Sequence, residues 1–190
     1  MGYKELEGIH ARSDFDLSQH QKHSGKKIQY YDPEQEKSYV PHVIETSIGV
    51  DRMVLALLSA SYTEEEIGDK GKTEKRVVLK LPLQLAPIKA AILPLVRKDG
   101  LPEVGRKVFD ILKYRFNVMY EEKDSIGKRY RRQDAIGTPY CITIDHQTLK
   151  DNTVTLRHRD TMEQTRVKIH RLPEIIENKV SMQSLLEKLV

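Results

Sequence analysis

The segment Glu45-Thr46-Ser47-Ile48-Gly49-Val50-Asp51-Arg52 holds the residue types and spacing most suited to chemistry. A carboxylate and a small hydroxyl stand at the end of a strand-like stretch. A glycine follows, and an arginine falls on the first turn of an apolar helical pattern. Glu45 can hold a cation. Arg52 can grip phosphate oxygens with two donors or lie flat on a planar ring. The positive end of the helix adds to its pull on phosphate. A small ammonium-bearing substrate beside a nucleotide would fit, and so would a capped helix with one solvated arginine. Glu5 and Glu7 stand two residues apart, hence on one face of a strand. There they could join substrate phosphates around Mg²⁺, or mark an exposed edge strand. His20 and His23 have metal-ligand spacing, but no thiolate or second histidine pair accompanies them.

A second constellation is basic. Lys123, Lys128, Arg129, Arg131 and Arg132 crowd around Tyr130. Such side chains neutralise phosphates, and the ring can stack on an unpaired base; a solvated helix face is the plainer alternative. Cys141 lies in an apolar run and suits a small buried hydrophobe. Nothing suggests a Cys-His or Ser-His-Asp arrangement.

The elements that must position these groups show in the hydropathy pattern. Asp14 to Leu17 alternates like a strand, and residues 27–40 read as a hairpin turning at Asp32-Pro33-Glu34. His42 to Ser47 is a short strand. Val50, Met53, Val54, Leu57 and Leu58 form one face of a helix, and Gly49 at its start is expected to allow a close backbone approach. Ser61 to Lys75 is polar, with two glycines and one aliphatic side chain, the composition of a linker. Beyond it come a buried strand at Lys89–Val96 and a helix opened by Pro102, with Val104, Val108, Ile111 and Leu112 inward. A strand at Asn117–Glu121 leads to a basic helix capped by Ser125 and stopped at Gly137-Thr138-Pro139. A strand at Tyr140–Asp145, a hairpin turning at Asp160-Thr161, and a helix from Leu172 to Val190 broken near Asn178–Ser181 complete the chain. The order β-α-β-α-β-β-α predicts an α/β domain, a mixed sheet flanked by helices, preceded by an antiparallel-strand-plus-helix region.

The charge is uneven. The 190 residues carry a net charge of +4, but residues 1–75 carry −4, residues 76–132 carry +8 and residues 133–190 are neutral. An acidic start joined to a basic middle suggests different partners, nucleic acid for the basic block. One cysteine excludes an internal disulfide framework and fits a reducing, cytoplasmic setting. No run approaches the roughly 18 to 20 apolar residues of a membrane span, and Met1 to His10 lacks the pattern of a signal peptide. Trp is absent and aromatic residues make up only 6%, which argues against an extended aromatic binding face.

Four stretches together resemble one family: ELEGIHARSDFDLSQH at 5–20, PHVIETSIGVDRMVLALL at 41–58, LAPIKAAILPLV at 85–96 and IGKRYRRQDAIGTPYCITID at 126–145. They are similar to dimeric glycyl-tRNA synthetases, class II aminoacyl-tRNA synthetases, with GVDRMVLALL resembling motif 3. The resemblance implies that residues 1–75 are the last part of a class II catalytic domain plus a linker, and that residues 76–190 are an anticodon-binding domain. It implies that Glu45 and Ser47 hold glycine, Glu45 facing the ammonium, with Thr46, Ile48 and Gly49 lining the same pocket. It further implies that Arg52 packs on adenine and reaches phosphate as the catalytic arginine, that Val50 and Asp51 flank the nucleotide, and that Glu5 and Leu6 lie near ATP with Glu5 contacting Mg²⁺. Lys128, Arg129, Arg131 and Arg132 are the expected tRNA contacts, on charge alone. Thr46 departs from the family, where proline is common. Motif 1, which builds the dimer, and motif 2, which grips the α-phosphate, are not found. The chain is therefore expected to be the C-terminal portion of a homodimeric glycine–tRNA ligase, inactive by itself. The alternative is a free-standing tRNA-binding module or accessory paralogue.

Overall fold

In the computed structural model, which describes residues 4–69 and 72–187, the chain divides at Leu57, inside a helix. The first unit, residues 1–57, is built on two antiparallel ribbons. Strand β1 (Glu7–Ser13) leads into helix α1 (Phe15–Ser24); β2 (Tyr30–Asp32) and β3 (Lys37–Tyr39) form the expected hairpin; β4 (Val43–Ile48) returns to pair with β1. Asp32 Oδ1 accepts from the N–H groups of Glu34 and Gln35 at 2.9 and 3.1 Å, which fixes the turn. Helix α1 replaces the strand expected at Asp14–Leu17, because four residues are too few to separate a period of 2 from one of 3.6. Its first turn closes with Ser18 N–H on Asp14 O at 2.9 Å.

Helix α2 (Val50–Ser61) has the predicted apolar stripe, but in the first unit that stripe is uncovered: Val50 is 72% exposed and Val54 50%. No described apolar side chain before Val78 is buried. Two-stranded ribbons gain little stability without a covered apolar face, so this unit lacks a core of its own.

The second unit, residues 58–190, opens on a correction. The expected linker is a hairpin of β5 (Tyr62–Asp69) and β6 (Lys72–Leu79), paired from Tyr62↔Leu79 to Asp69↔Lys72. The division at Leu57 sets this hairpin with the second unit, whereas the sequence reading carried the first as far as residue 75. Period-2 alternation is present along both strands, with Thr63, Glu65 and Ile67 half-buried and Arg76 and Val78 buried. The inward face is held partly by charge, so hydropathy does not report it.

Next come β7 (Ala90–Pro94), α3 (Leu101–Leu112), β8 (Val118–Tyr120), α4 (Ile126–Ala135) and β9 (Tyr140–Ile144). The one-turn helix α5 (Thr148–Asp151), β10 (Thr153–His158), β11 (Gln164–Lys168), α6 (Leu172–Val180) and α7 (Met182–Leu186) follow. The sheet order is β11-β10-β9-β7-β8, with β7 parallel to β8 and β9, and β10 antiparallel to its neighbours. This is the mixed sheet flanked by helices that the sequence predicts. Every residue of β7 and β9 is buried, which explains their unbroken apolar runs. Val108 and Leu112 of α3 pack with Ile92, Ile142, Val154 and Ile176 in the main core. Ser125 sits extended at the start of α4 as expected, although its side chain makes no capping hydrogen bond. Gly137 ends that segment at φ +83°, where a Cβ would lie 2.9 Å from Leu79 O, so glycine is required there.

A charged core joins these parts. The Asp134 carboxylate of α4, fully buried, accepts from Arg76 Nε of β6 at 2.8 Å and from Arg157 Nη1 and Nη2 of β10 at 2.8 and 3.0 Å. Arg76 also donates to Glu65 Oε2 at 2.6 Å and to the Arg159 carbonyl. Arg159 in turn donates to the carbonyls of Gly137 and Leu81, each at 2.8 Å. Removing one member of a buried ion cluster leaves its partners desolvated and unpaired, at a cost of about 3–5 kcal/mol. Asp134→Ala is therefore expected to lower stability in urea by that order. Glu74→Ala, which removes an exposed partner 3.3 Å from Arg131, should cost under about 1 kcal/mol. Equal losses by circular dichroism would contradict this assignment.

Candidate functional site

The strand-turn-helix around Glu45 has a defined geometry. Along β4 the side chains alternate, so Glu45 and Ser47 share one face while Ile44, Thr46 and Ile48 share the other. Across the ribbon Glu45 pairs with His10 and Ser47 with Gly8. The register slips between Ala11 and Ser13, which makes Arg12 the extra residue of a β-bulge. A bulge re-aims a side chain, and here Arg12 Nε and Nη2 both lie 2.9 Å from Glu45 Oε2. The Arg12 hydrogen bond and charge hold the Glu45 carboxyl below its ordinary range, so it stays ionised. Both contacts fall on Oε2. At Gly8 a Cβ would lie 2.5 Å from His10 Nε2, so the glycine lets the imidazole lie flat on the strand.

Arg52, on the first turn of α2, donates from Nη1 to the carbonyl of Glu5 at 2.8 Å. This brings together two residues that the sequence assigns to the same nucleotide site. Val50 and Asp51 are exposed on that turn, and Leu6, 39% exposed, precedes β1. Glu5 also precedes β1, so Glu5 and Glu7 do not form the expected same-face pair on a strand. Gly49 accepts from Met53 N–H at 2.9 Å and caps the helix; within the chain a Cβ there would make only ordinary contact with Arg52. Among the described residues no group of three or more His, Cys, Asp or Glu side chains is placed to hold a metal by itself. Mg²⁺ takes one or two carboxylates and draws other oxygens from phosphates, which the single Glu5 carboxylate fits.

The basic segment separates into two kinds of arginine. Arg129 is 1% exposed and donates to the carbonyls of Pro94 at 2.7 Å, Glu121 at 3.1 Å and Leu95 at 3.2 Å. Burial on backbone acceptors removes it from the expected tRNA contacts. Tyr130 is also turned inward, its hydroxyl 2.6 Å from Thr143 Oγ1 and its ring under the Arg157 guanidinium at 4.8 Å, so it offers no stacking face. Arg131 lies 3.3 Å from Glu74, and Arg132 lies 2.5 Å from Glu121 and 2.9 Å from Asp124. Lys123 and Lys128 are exposed and have no ion pair among the described residues. Cys141 is buried, which pushes its thiol up to about 12 and keeps it protonated. Arg12 and the Arg76–Asp134 cluster were missed in the sequence, since the first depends on a bulge in strand pairing and the second on the packing of helix α4 against β6 and β10.

Residues 89–179 match the family described as anticodon binding domain, which sets the class of the mixed sheet and its helices. The RNA-binding domain of threonyl-tRNA synthetase from Cryptosporidium parvum Iowa II shares the fold, with a TM-score of 0.61 and 22% identity over 80% of this chain and 35% of that one. Glycine–tRNA ligases of Clostridium perfringens and Clostridium tetani are 54% and 53% identical over 93% and 94% of this chain. That of Rhodopirellula baltica is 50% identical over 88%. The chain belongs to the glycine–tRNA ligase family, and it spans 36–38% of the length of these curated relatives.

The bulge predicts a measurable titration. The Glu45 carboxylate should titrate below the ordinary midpoint of about 4.3 by NMR. Arg12→Ala should return it to that midpoint, and an unchanged midpoint would exclude the contact.

Proposed function

We propose that this chain is the portion of a glycine–tRNA ligase that supplies one wall of the glycine and ATP pocket and the domain that binds the tRNA. The observation that supports this most is identity near 50% running through both the Glu45-to-Arg52 segment and the anticodon-binding domain. In the complete enzyme the glycine carboxylate attacks the α-phosphorus of ATP, and pyrophosphate leaves. A terminal ribose hydroxyl of tRNA then attacks the acyl carbon, and AMP leaves. Glu45, held ionised by Arg12, binds the glycine ammonium through Oε1, the oxygen that Arg12 leaves free. Ser47 lies beside it on the same face, while Thr46 and Ile48 contribute backbone only. Arg52, tethered to Glu5, packs on adenine and draws phosphate charge toward the helix N-terminus. Mg²⁺, held by Glu5 and the phosphates, would neutralise charge on the polyphosphate. A pocket without space for a side chain selects glycine.

The uncovered apolar stripe of α2 fits a catalytic unit completed by more of its domain. For this stretch alone, tRNA binding is the activity expected. The family setting is cytoplasmic translation, and no described helix is long and apolar enough to cross a membrane. Anisotropy of labelled glycine tRNA is expected to show log K falling linearly with log salt. Lys128→Ala should shallow that slope by about 1, whereas Arg129→Ala should first lower thermal stability. Salt-independent binding would overturn the reading.

A further inference from the structure

The electropositive surface does not stop at α4. At the opposite end of β8 the chain leaves α3 through Lys113-Tyr114-Arg115, all exposed. Tyr114 is 86% exposed, the highest value among the exposed large apolar and aromatic side chains described. It stands at the rim of a cleft of about 370 Å³ lined by Lys89, Lys113, Arg115 and Asn117, with Glu177 and Ser181 of the α6 end on the far side. Lys113 Nζ lies 5.0 Å from the Tyr114 ring centroid and 2.6 Å from Asp110 Oδ1. An exposed ion pair of that kind is weak, so phosphate can compete with Asp110 for the ammonium. Among the described residues Arg115 has no ion pair.

Strand β8 is the edge of the five-stranded sheet. One end of it carries Lys113, Tyr114 and Arg115, and the other leads to Lys123 and Lys128. Only about 13 Å of extended chain separates Asn117 from Glu121, a distance that a few nucleotides of single strand cover. A flat, exposed ring beside exposed cations is the arrangement by which proteins hold unpaired bases without reading their sequence. Duplex would gain nothing from the ring, since its bases are already stacked.

We propose that the β8 edge is a track for single-stranded RNA, on which Tyr114 stacks an unpaired base and Lys113 and Arg115 hold the adjoining phosphates. The proposal rests on the tRNA-binding reading and extends the contact beyond α4. It is tested by anisotropy of labelled glycine tRNA on the whole chain at two salt concentrations. Tyr114→Ala should weaken binding by about 5- to 150-fold with the salt slope unchanged. Tyr114→Phe should bind like the parent, and Arg115→Ala should shallow the slope by about 1. Tyr114 is too exposed for these changes to disturb folding, which circular dichroism checks. If the parent binds and both Tyr114→Ala and Arg115→Ala bind equally well, the track is overturned while the α4 contact stands. If the parent itself fails to bind, the tRNA-binding reading falls and the track with it.

Discussion

One buried carboxylate organises the second unit. Asp134 lies where no water reaches it, and an isolated charge there would be prohibitively costly. It is tolerated because Arg76 and Arg157 both reach it with short, well-directed hydrogen bonds. That requirement ties three elements distant in sequence, β6, α4 and β10, into one arrangement. Arg157 then covers the inner face of Tyr130, and Arg129, one residue before that tyrosine, inserts among carbonyls at the ends of β7 and β8. The orientation of α4 is thereby set from both ends, and with it the surface on which Lys128 stands. Several cations of the basic block are thus part of the architecture, and fewer remain to meet phosphate than the charge of residues 76–132 implies.

This division explains what the sequence could and could not reveal. Strands β7 and β9 and helix α3 were legible because their partners are apolar, and burial leaves a direct hydropathy signature. The β2–β3 hairpin was legible from its Asp-Pro turn. The β5–β6 hairpin was not, because its inward positions include Glu65 and Arg76, which a hydropathy pattern scores as solvent-facing. Arg129, Arg131 and Arg132 look alike in sequence, yet one is buried on carbonyls, one borders the ion cluster and one is paired at the surface. Only the surrounding fold tells them apart. In the candidate site, Glu45, Ser47 and Arg52 drew notice by type and spacing, but only the family resemblance gave them roles. Arg12 was not, since it reaches Glu45 only through a bulge in a strand more than thirty residues away.

The two units differ in how they hold their shape. The second has a continuous apolar core and a satisfied ion cluster. The first carries the side chains of the candidate site on ribbons and a helix whose apolar faces are open, so its geometry rests on local devices: the bulge at Arg12, the Asx turn at Asp32 and the tether from Arg52 to Glu5. A charged recognition site placed on such elements gains rigidity when the remaining apolar surface is covered. Preorganisation of this kind is what allows fixed charges to stabilise a reacting ligand.

The central claim is that Glu45 is the group that meets the ammonium of glycine. It is tested most directly by glycine-dependent exchange of pyrophosphate into ATP in the complete enzyme carrying Glu45→Ala. The account predicts that exchange is abolished while glycine tRNA still binds with the affinity of the parent. Exchange close to that of the parent would contradict it.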